Sequence, residues 1–266
     1  MKLAISNIAW ENYKDREILK LLREYKVKGI ELAPTKVWPE WKNITKESIQ
    51  NLKSFMDNEG LEIPAMQAIL FGKPELQLFN TQTHQKFFDH FKLLSELAYE
   101  LETNVLVFGA PKNRKRNQIS VDDADKIAID FFAKVGDILK ESNANLVIEN
   151  NPVEYMCDYL TNVRDVENIV SKINSKNVKV HLDSAGIHMC GGKIEEIIAN
   201  SKNFAHYHIS EPMLNPIYEQ KVEHFKALNA LKKMKYAGWV SIEMKQTENE
   251  YDDIRKSLKF LNSIGV

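Results

Sequence analysis

Short apolar runs alternate with amphipathic stretches along the whole chain. The runs are rich in β-branched and aliphatic residues, which predicts strands, and there are eight of them: KLAIS (2–6), KGIELA (28–33), LEIPAM (61–66), NVLVFG (104–109), NLVIEN (145–150), VKVHLD (178–183), AHYHIS (205–210) and WVSIEM (239–244). The segments between them repeat apolar residues at three and four positions, which predicts helices; examples are REILKLLREYK, ESIQNLKSFMDNEG, THQKFFDHFKLLSELAYELE and ADKIAIDFFAKVGDILKES. The order is strand, helix, strand, helix throughout.

This alternation predicts an α/β fold with a parallel sheet. Near-continuous apolar strands are typical of sheets that helices cover on both faces. Eight such units favour a closed (β/α)8 TIM barrel, and an open doubly wound sheet stays as the alternative. No Gly/Ser-rich or Pro-rich linker interrupts the pattern, so one domain is expected over residues 1–266. The segment from Phe71 to Thr83 is predicted as a loop after the third strand, where barrel enzymes often contact substrate.

Composition and charge exclude several classes of partner. Hydrophobic residues make up 44% of the chain and charged residues 27%, the balance of a globular protein with a sizeable core. Lys and Arg number 36 against 37 for Asp and Glu, so no excess charge attracts nucleic acid or an anionic membrane. The chain shows no signal peptide and no apolar run of about 18 residues, so we expect a cytoplasmic protein. Cys157 and Cys190 fit neither a disulfide framework nor a zinc motif.

Four polar residues fall at or near the ends of consecutive predicted strands. Glu149, Asp183 and Glu243 end the fifth, sixth and eighth strands, and His208 lies in the seventh. Because the carboxyl ends of barrel strands open on one face, these side chains should converge. Three clustered carboxylates raise one another's pKa, and a divalent cation would balance them. Each residue alone is more often a helix cap, a salt-bridge partner or a solvated loop residue, but the set predicts one site for Mn2+, Mg2+ or Co2+, with Zn2+ not excluded.

The same segments carry a resemblance to a known family. VIENN, VHLDSAGIH, HYHISEP and YAGWVSIEM resemble strand ends of the xylose-isomerase-like barrel superfamily of sugar phosphate isomerases and epimerases. ISNIAW, IELAPTK, AMQAILFGKPELQLF and VFGAP extend the similarity over nearly the whole chain. The resemblance implies a metal-dependent isomerase or epimerase of a small sugar or sugar phosphate. It also implies that Glu149 and Glu243 act as an acid/base pair through a cis-enediolate, with the identity of the base left open.

The resemblance further suggests residues that contact the substrate. Relatives often have a histidine and a carboxylate at the positions that His188 and Glu154 approach here. Trp10, just after the first strand, offers an aromatic face to sugar C–H groups, and Glu211 is a further candidate beyond His208. Arg114, in the basic run KNRKR (112–116), could bind a phosphate or carboxylate group of the substrate.

Each of these residues also has a plain structural explanation, as a loop charge or a packed side chain. His206 shares the strand face of His208 and is equally explained as a core histidine. Many relatives carry an arginine after the histidine of the seventh strand, but HISEPMLNPIYEQK contains none. The departure leaves the identity of the sugar open.

Three other functions remain to be weighed. A dehydratase acting on a keto-polyol, such as an inosose or a dehydroshikimate, would begin with the same proton abstraction. An endonuclease at abasic sites would need three zinc ions, more histidines and a basic surface. A non-catalytic sugar-binding barrel would be marked by a missing ligand, and all four ligand types are present. Nucleotide and acyl-transfer motifs are absent. The oligomeric state stays open, and a homodimer or homotetramer would match the relatives.

Overall fold

Seven parallel strands form one sheet in the computed structural model, which describes residues 1–12 and 15–265. The strands are β1 (Lys2–Ser6), β2 (Gly29–Glu31), β3 (Val105–Phe108), β4 (Asn145–Glu149), β5 (Val178–Asp183), β6 (Phe204–Ser210) and β7 (Trp239–Glu243). Their order in the sheet is β2-β1-β7-β6-β5-β4-β3. The predicted α/β, TIM-barrel-like fold is confirmed.

The prediction of eight regular strands is wrong at one place. Residues 61–66 form only isolated parallel bridges, which pair Glu62 with Gly29 in β2 and Met66 with both Leu32 and Leu106. Pro64 lies between the bridging residues, and its missing N–H interrupts a regular ladder of hydrogen bonds. This segment therefore links the two edge strands irregularly, and the predicted fourth to eighth strands are β3 to β7.

The helices follow the strands as the apolar spacing predicts. They are α1 (Asp15–Glu24), α2 (Pro34–Val37), α3 (Lys46–Glu59), α4 (His84–Glu100), α5 (Val121–Leu139), α6 (Val163–Ile173), α7 (Ser184–Met189), α8 (Ile194–Asn200), α9 (His224–Lys233) and α10 (Glu250–Ser263). Helix α3 shows how local sequence sets the bounds. It begins at a capping box between Thr45 and Ser48 and ends at Gly60, whose φ of 67° suits a glycine. Among the described residues, no helix is both long and apolar enough to cross a membrane.

Inside the sheet, a layer of apolar side chains lies next to a layer of polar side chains. Ala65, Val105, Val107 and Val147 form a small buried cluster inside the sheet. Glu149 follows Val147 by two residues, and side chains two apart on a strand share a face. Polar side chains therefore occupy the interior toward the carboxyl ends of the strands, where the candidate site lies.

Candidate metal centre

Four strands bring the predicted ligands together at the carboxyl edge of the sheet. The register pairs Asp183 with His208 and Ser210 with Glu243, so neighbouring strands present their polar residues at one level. Nδ1 of His208 lies 3.3 Å from Glu243 Oε2 and 4.0 Å from both Glu149 Oε1 and Asp183 Oδ2. Three carboxylates thus surround one imidazole nitrogen.

Local contacts hold two of these carboxylates in place. Asp183 is the N-cap of α7 and accepts hydrogen bonds from the backbone N–H of Gly186 and the hydroxyl of Ser210. Glu149 Oε2 accepts a hydrogen bond of 3.1 Å from Asn151 Nδ2. A Cβ added at Gly109 would lie 2.3 Å from the same oxygen, so a larger residue at this position after β3 would force the Glu149 carboxylate to move.

The electrostatics of the cluster fit a bound cation. Burial raises the pKa of Glu149 to about 8, and the neighbouring Asp183 and Glu243 add to the effect. Burial and Glu243 likewise raise the pKa of Asp183 to about 6. Among the described residues, Nδ1 of His208 finds no hydrogen-bond partner of good geometry although it is buried. Repelling carboxylates around a free imidazole nitrogen are the donor set that a divalent cation would satisfy.

A buried carboxylate on the far side of the interior holds His208. Glu31, at the end of β2, lies with Oε1 2.8 Å from Nε2 of His208 and with Oε2 2.9 Å from Nε2 of His206. Strands β2 and β6 are not neighbours in the sheet, so these contacts cross the interior. Burial opposes ionisation of Glu31, but the two histidines hold its pKa well below the usual value. With Nε2 donating to Glu31, the other nitrogen of His208 faces the carboxylates.

His181 is a second residue that the sequence analysis did not select. It lies two residues before Asp183 on the same face of β5 and is fully buried. Its Nε2 is 3.7 Å from Glu149 Oε1, and ligand atoms of Glu149, His181, Asp183 and His208 lie within 4.8 Å of one another. Burial, then the adjacent His208 and His206, lower the pKa of His181, which keeps this imidazole neutral. His181 is therefore an alternative ligand next to the predicted four.

The other predicted substrate residues lie in different environments. His188, in the last turn of α7, and Glu154, in the short helical turn Val153–Tyr155 after β4, are both exposed. Trp10 is 2% exposed, packs in the main core and donates from Nε1 to Asp15 at 2.6 Å. Position alone places His188 and Glu154 on the open side of the strand ends.

Glu211 and Arg114 are both completely buried. Glu211 accepts hydrogen bonds from the backbone N–H groups of Lys221 and Val222, and His224 Nε2 lies 2.7 Å from its carboxylate. These contacts tie the loop after β6 to α9. Arg114 Nε donates to Cys157 Sγ at 3.4 Å, and the guanidinium lowers the pKa of Glu149 against the larger effect of burial.

The sequence profile of the Xylose isomerase-like TIM barrel family matches residues 19–264, and the chain belongs to this family. No curated protein matches the sequence significantly. Among solved structures, D-psicose 3-epimerase of Clostridium cellulolyticum, solved with D-tagatose, has a TM-score of 0.83 at 16% identity over 99% of both chains. The IOLI protein, solved with a bound zinc atom, has a TM-score of 0.76 at 19% identity over 99% of this chain and 98% of the other.

A probable 3-DHS dehydratase, AsbF from Bacillus anthracis, is similar to the same extent. Its TM-score is 0.76 at 16% identity, and the alignment covers 98% of this chain and 99% of the dehydratase. At such identities the similarity shows the fold alone. Family membership and the convergence of buried carboxylates with imidazoles together indicate a metal-dependent enzyme of this family.

Without bound metal ions, the free energy of unfolding is expected to fall as the pH rises from about 6.5 to 8. The pKa of Glu149 is raised to about 8, and that of His208 is also raised, because its carboxylate neighbours outweigh burial. The folded chain then binds more protons than the unfolded chain, so each extra proton costs up to about 1.4 kcal/mol per pH unit. The buried neutral His181 acts in the opposite direction only at lower pH, below about 6.5.

Thermal unfolding with a chelator and with saturating Mn2+ measures this dependence. Mn2+ should flatten the curve, because carboxylates bound to a cation are already ionised. A metal-free protein whose melting temperature rises over the same pH interval would contradict the proposed clustering of charges.

Proposed function

We propose that this protein is a divalent-metal-dependent isomerase or epimerase of a small sugar or sugar phosphate. The observation that carries the proposal is the placement of Glu149 and Glu243. They end β4 and β7, with β5 and β6 between them, so they approach the centre from two sides. Each side chain keeps 13% of its surface exposed, whereas Asp183 and His208 are more deeply buried. Two accessible carboxylates thus flank two buried ligands.

The residues fit one ion of Mn2+, Mg2+, Co2+ or Zn2+, held by Glu149, Asp183, His208 and Glu243. Such an ion would act as a Lewis acid that polarises a carbonyl oxygen and makes the neighbouring C–H more acidic. Glu31 would hold His208 in the tautomer that presents Nδ1 to the centre.

The two glutamates would remove one proton from the substrate and return another, one starting as a carboxylate and the other as a neutral carboxylic acid. One glutamate, ionised, would take the proton from the carbon beside the carbonyl group, and its carboxyl would become neutral. The other glutamate would deliver a proton to the opposite face of the same carbon, which inverts the stereocentre; delivery to the adjacent carbon would isomerise the sugar instead. A positioned acid or base contributes about 100-fold to 10,000-fold to such a step. A raised pKa, as Glu149 has, brings a carboxyl closer to the pH at which it can both accept and release a proton.

Product analysis separates this reaction from a dehydration on the same scaffold. The protein loaded with Mn2+ is incubated with free and phosphorylated ketoses and with keto-polyols of the dehydroshikimate type. We expect products of unchanged mass from the ketoses. A product that has lost water and absorbs in the ultraviolet as a conjugated enone would instead establish a dehydratase.

The histidines outside the centre do not support an endonuclease. His84 and His90 bond to the backbone carbonyl groups of Leu78 and Ile69, at 2.7 Å each, and His224 pairs with Glu211. These contacts give the three histidines structural partners away from the carboxylate cluster.

A further inference from the structure

A tyrosine hydroxyl links two loops above the candidate metal centre. Tyr155 ends the helical turn that follows β4, and Met213 lies in the turn Pro212–Leu214 that follows β6. The backbone N–H of Met213 donates a hydrogen bond of 3.1 Å to the Tyr155 hydroxyl. Strand β5 lies between β4 and β6, so this contact spans the carboxyl end of β5, where Asp183 is. The Tyr155 phenol therefore lies over the carboxylates of the candidate centre, between the loops that follow β4 and β6.

The backbone on both sides of this contact is unusual. Met213 and Leu214 have φ values of 61° and 56°, and Met156, the residue after Tyr155, has 62°. Residues other than glycine seldom adopt this left-handed region. Both loops thus take up costly conformations at the point where they meet over the centre.

The hydroxyl keeps a proton to donate. Its oxygen is occupied as an acceptor from Met213, so the O–H group is free to point at another acceptor. Burial raises the pKa of Tyr155 to about 12; the hydrogen bond from Met213 acts against this, and the charges of Asp183, Glu243 and Glu149 add to it. The phenol therefore remains protonated in the range where the enzyme would work.

We propose that Tyr155 donates a hydrogen bond to an oxygen atom of the ligand bound at the metal centre. Its neighbour Glu154, predicted from the sequence as the substrate contact of this loop, is exposed, whereas Tyr155 is half-buried and reaches across to the loop after β6. The identity of the ligand as a sugar rests on the proposed function, but the contact itself requires only an oxygen ligand at the centre.

The test compares Tyr155→Phe with the wild-type protein and with Tyr99→Phe, a matched control on α4 whose side chain is 68% exposed. Acetohydroxamate, which binds divalent metal ions through two oxygen atoms, serves as the probe. Its dissociation constant is measured on Mn2+-loaded protein from the relaxation of water protons, and Mn2+ affinity is measured separately. We expect Tyr155→Phe to bind the probe about fivefold to tenfold more weakly, with Mn2+ affinity unchanged.

The other possible results separate the Tyr155 contact from the proposed metal centre and the proposed reaction. Equal probe affinity in Tyr155→Phe and wild type overturns it, and so does a wild-type protein that holds Mn2+ but no probe. A protein that binds no Mn2+ overturns it together with the proposed centre. Loss of probe affinity in Tyr155→Phe, combined with no hydrogen exchange in any ketose, would retain the contact and reject the proposed reaction.

Discussion

Glu149→Gln and Glu243→Gln are each expected to lower the rate of proton exchange in a ketose by about 100-fold or more. Glutamine keeps the shape of the side chain and one oxygen ligand but cannot accept the proton. Both side chains are partly exposed at the carboxyl edge of the sheet, so the fold should survive the change. Exchange is followed by proton NMR in D2O at saturating Mn2+, which separates weaker metal binding from a lost base.

Glu141→Gln is the matched control for this pair. Glu141 is exposed and lies just before β4, at the opposite end of the strand that Glu149 ends. Its substitution should leave exchange unchanged. Exchange that persists at the wild-type rate in both Glu149→Gln and Glu243→Gln would show that these glutamates are not the acid and base.

Glu31→Gln is expected to reduce the free energy of unfolding by about 3 kcal/mol and to weaken Mn2+ binding about 10-fold to 100-fold. The carboxylate is completely buried and bonds to His206 and His208 at once. An amide has only one oxygen, and its NH2 group would face one of the two Nε2–H donors. Removing one partner of a buried charged network leaves the others unpaired, which costs more than the net value of the contact.

Urea unfolding in the presence of a chelator measures the stability, and a Mn2+ titration measures the affinity. Glu62→Gln is the control, because Glu62 pairs with Lys2 on the surface at 2.7 Å and its side chain is 58% exposed. Such an exposed pair contributes at most about 1 kcal/mol. A Glu31→Gln variant that unfolds like the wild type and binds Mn2+ equally well would contradict the role assigned to Glu31.

The sequence predicted strand positions well, because period and apolar runs report burial directly. The apolar composition of residues 61–66 predicted one regular strand too many, because Pro64 has no N–H for a regular ladder of hydrogen bonds. The convergence of Glu149, Asp183, His208 and Glu243 could be expected from strand ends alone, since parallel strands open on one face.

Glu31 and His181 were missed although the sequence contained a signal for them. In IEL, VHLD and HYHIS the polar residues alternate with apolar ones, so Glu31, His181 and His206 fall on the inward face with the candidate ligands. Glu31, His181 and His206 lie inside the predicted strands 28–33, 178–183 and 205–210, so polar residues at strand ends do not include them. The alternation of polar and apolar residues along each strand predicts all three as inward-facing.

Loop residues could not be placed from the sequence. Tyr155 contacts Met213, which is 58 positions away, and the burial of Arg114 depends on the loop that contains Cys157. Such contacts arise from how loops of different length fold over the strand ends, and neither spacing nor residue type encodes that. Trp10, selected for its position after β1, lies instead in the core with its indole bonded to Asp15.

The most direct test of the proposed reaction is hydrogen exchange in D2O. Proton NMR follows free and phosphorylated ketoses incubated with the Mn2+-loaded protein, and again after chelation. We predict deuterium uptake at the carbon beside the carbonyl group of at least one ketose, and its loss on chelation. No uptake from any ketose, or uptake that continues without the metal ion, would contradict a metal-dependent proton transfer to and from the substrate by Glu149 and Glu243.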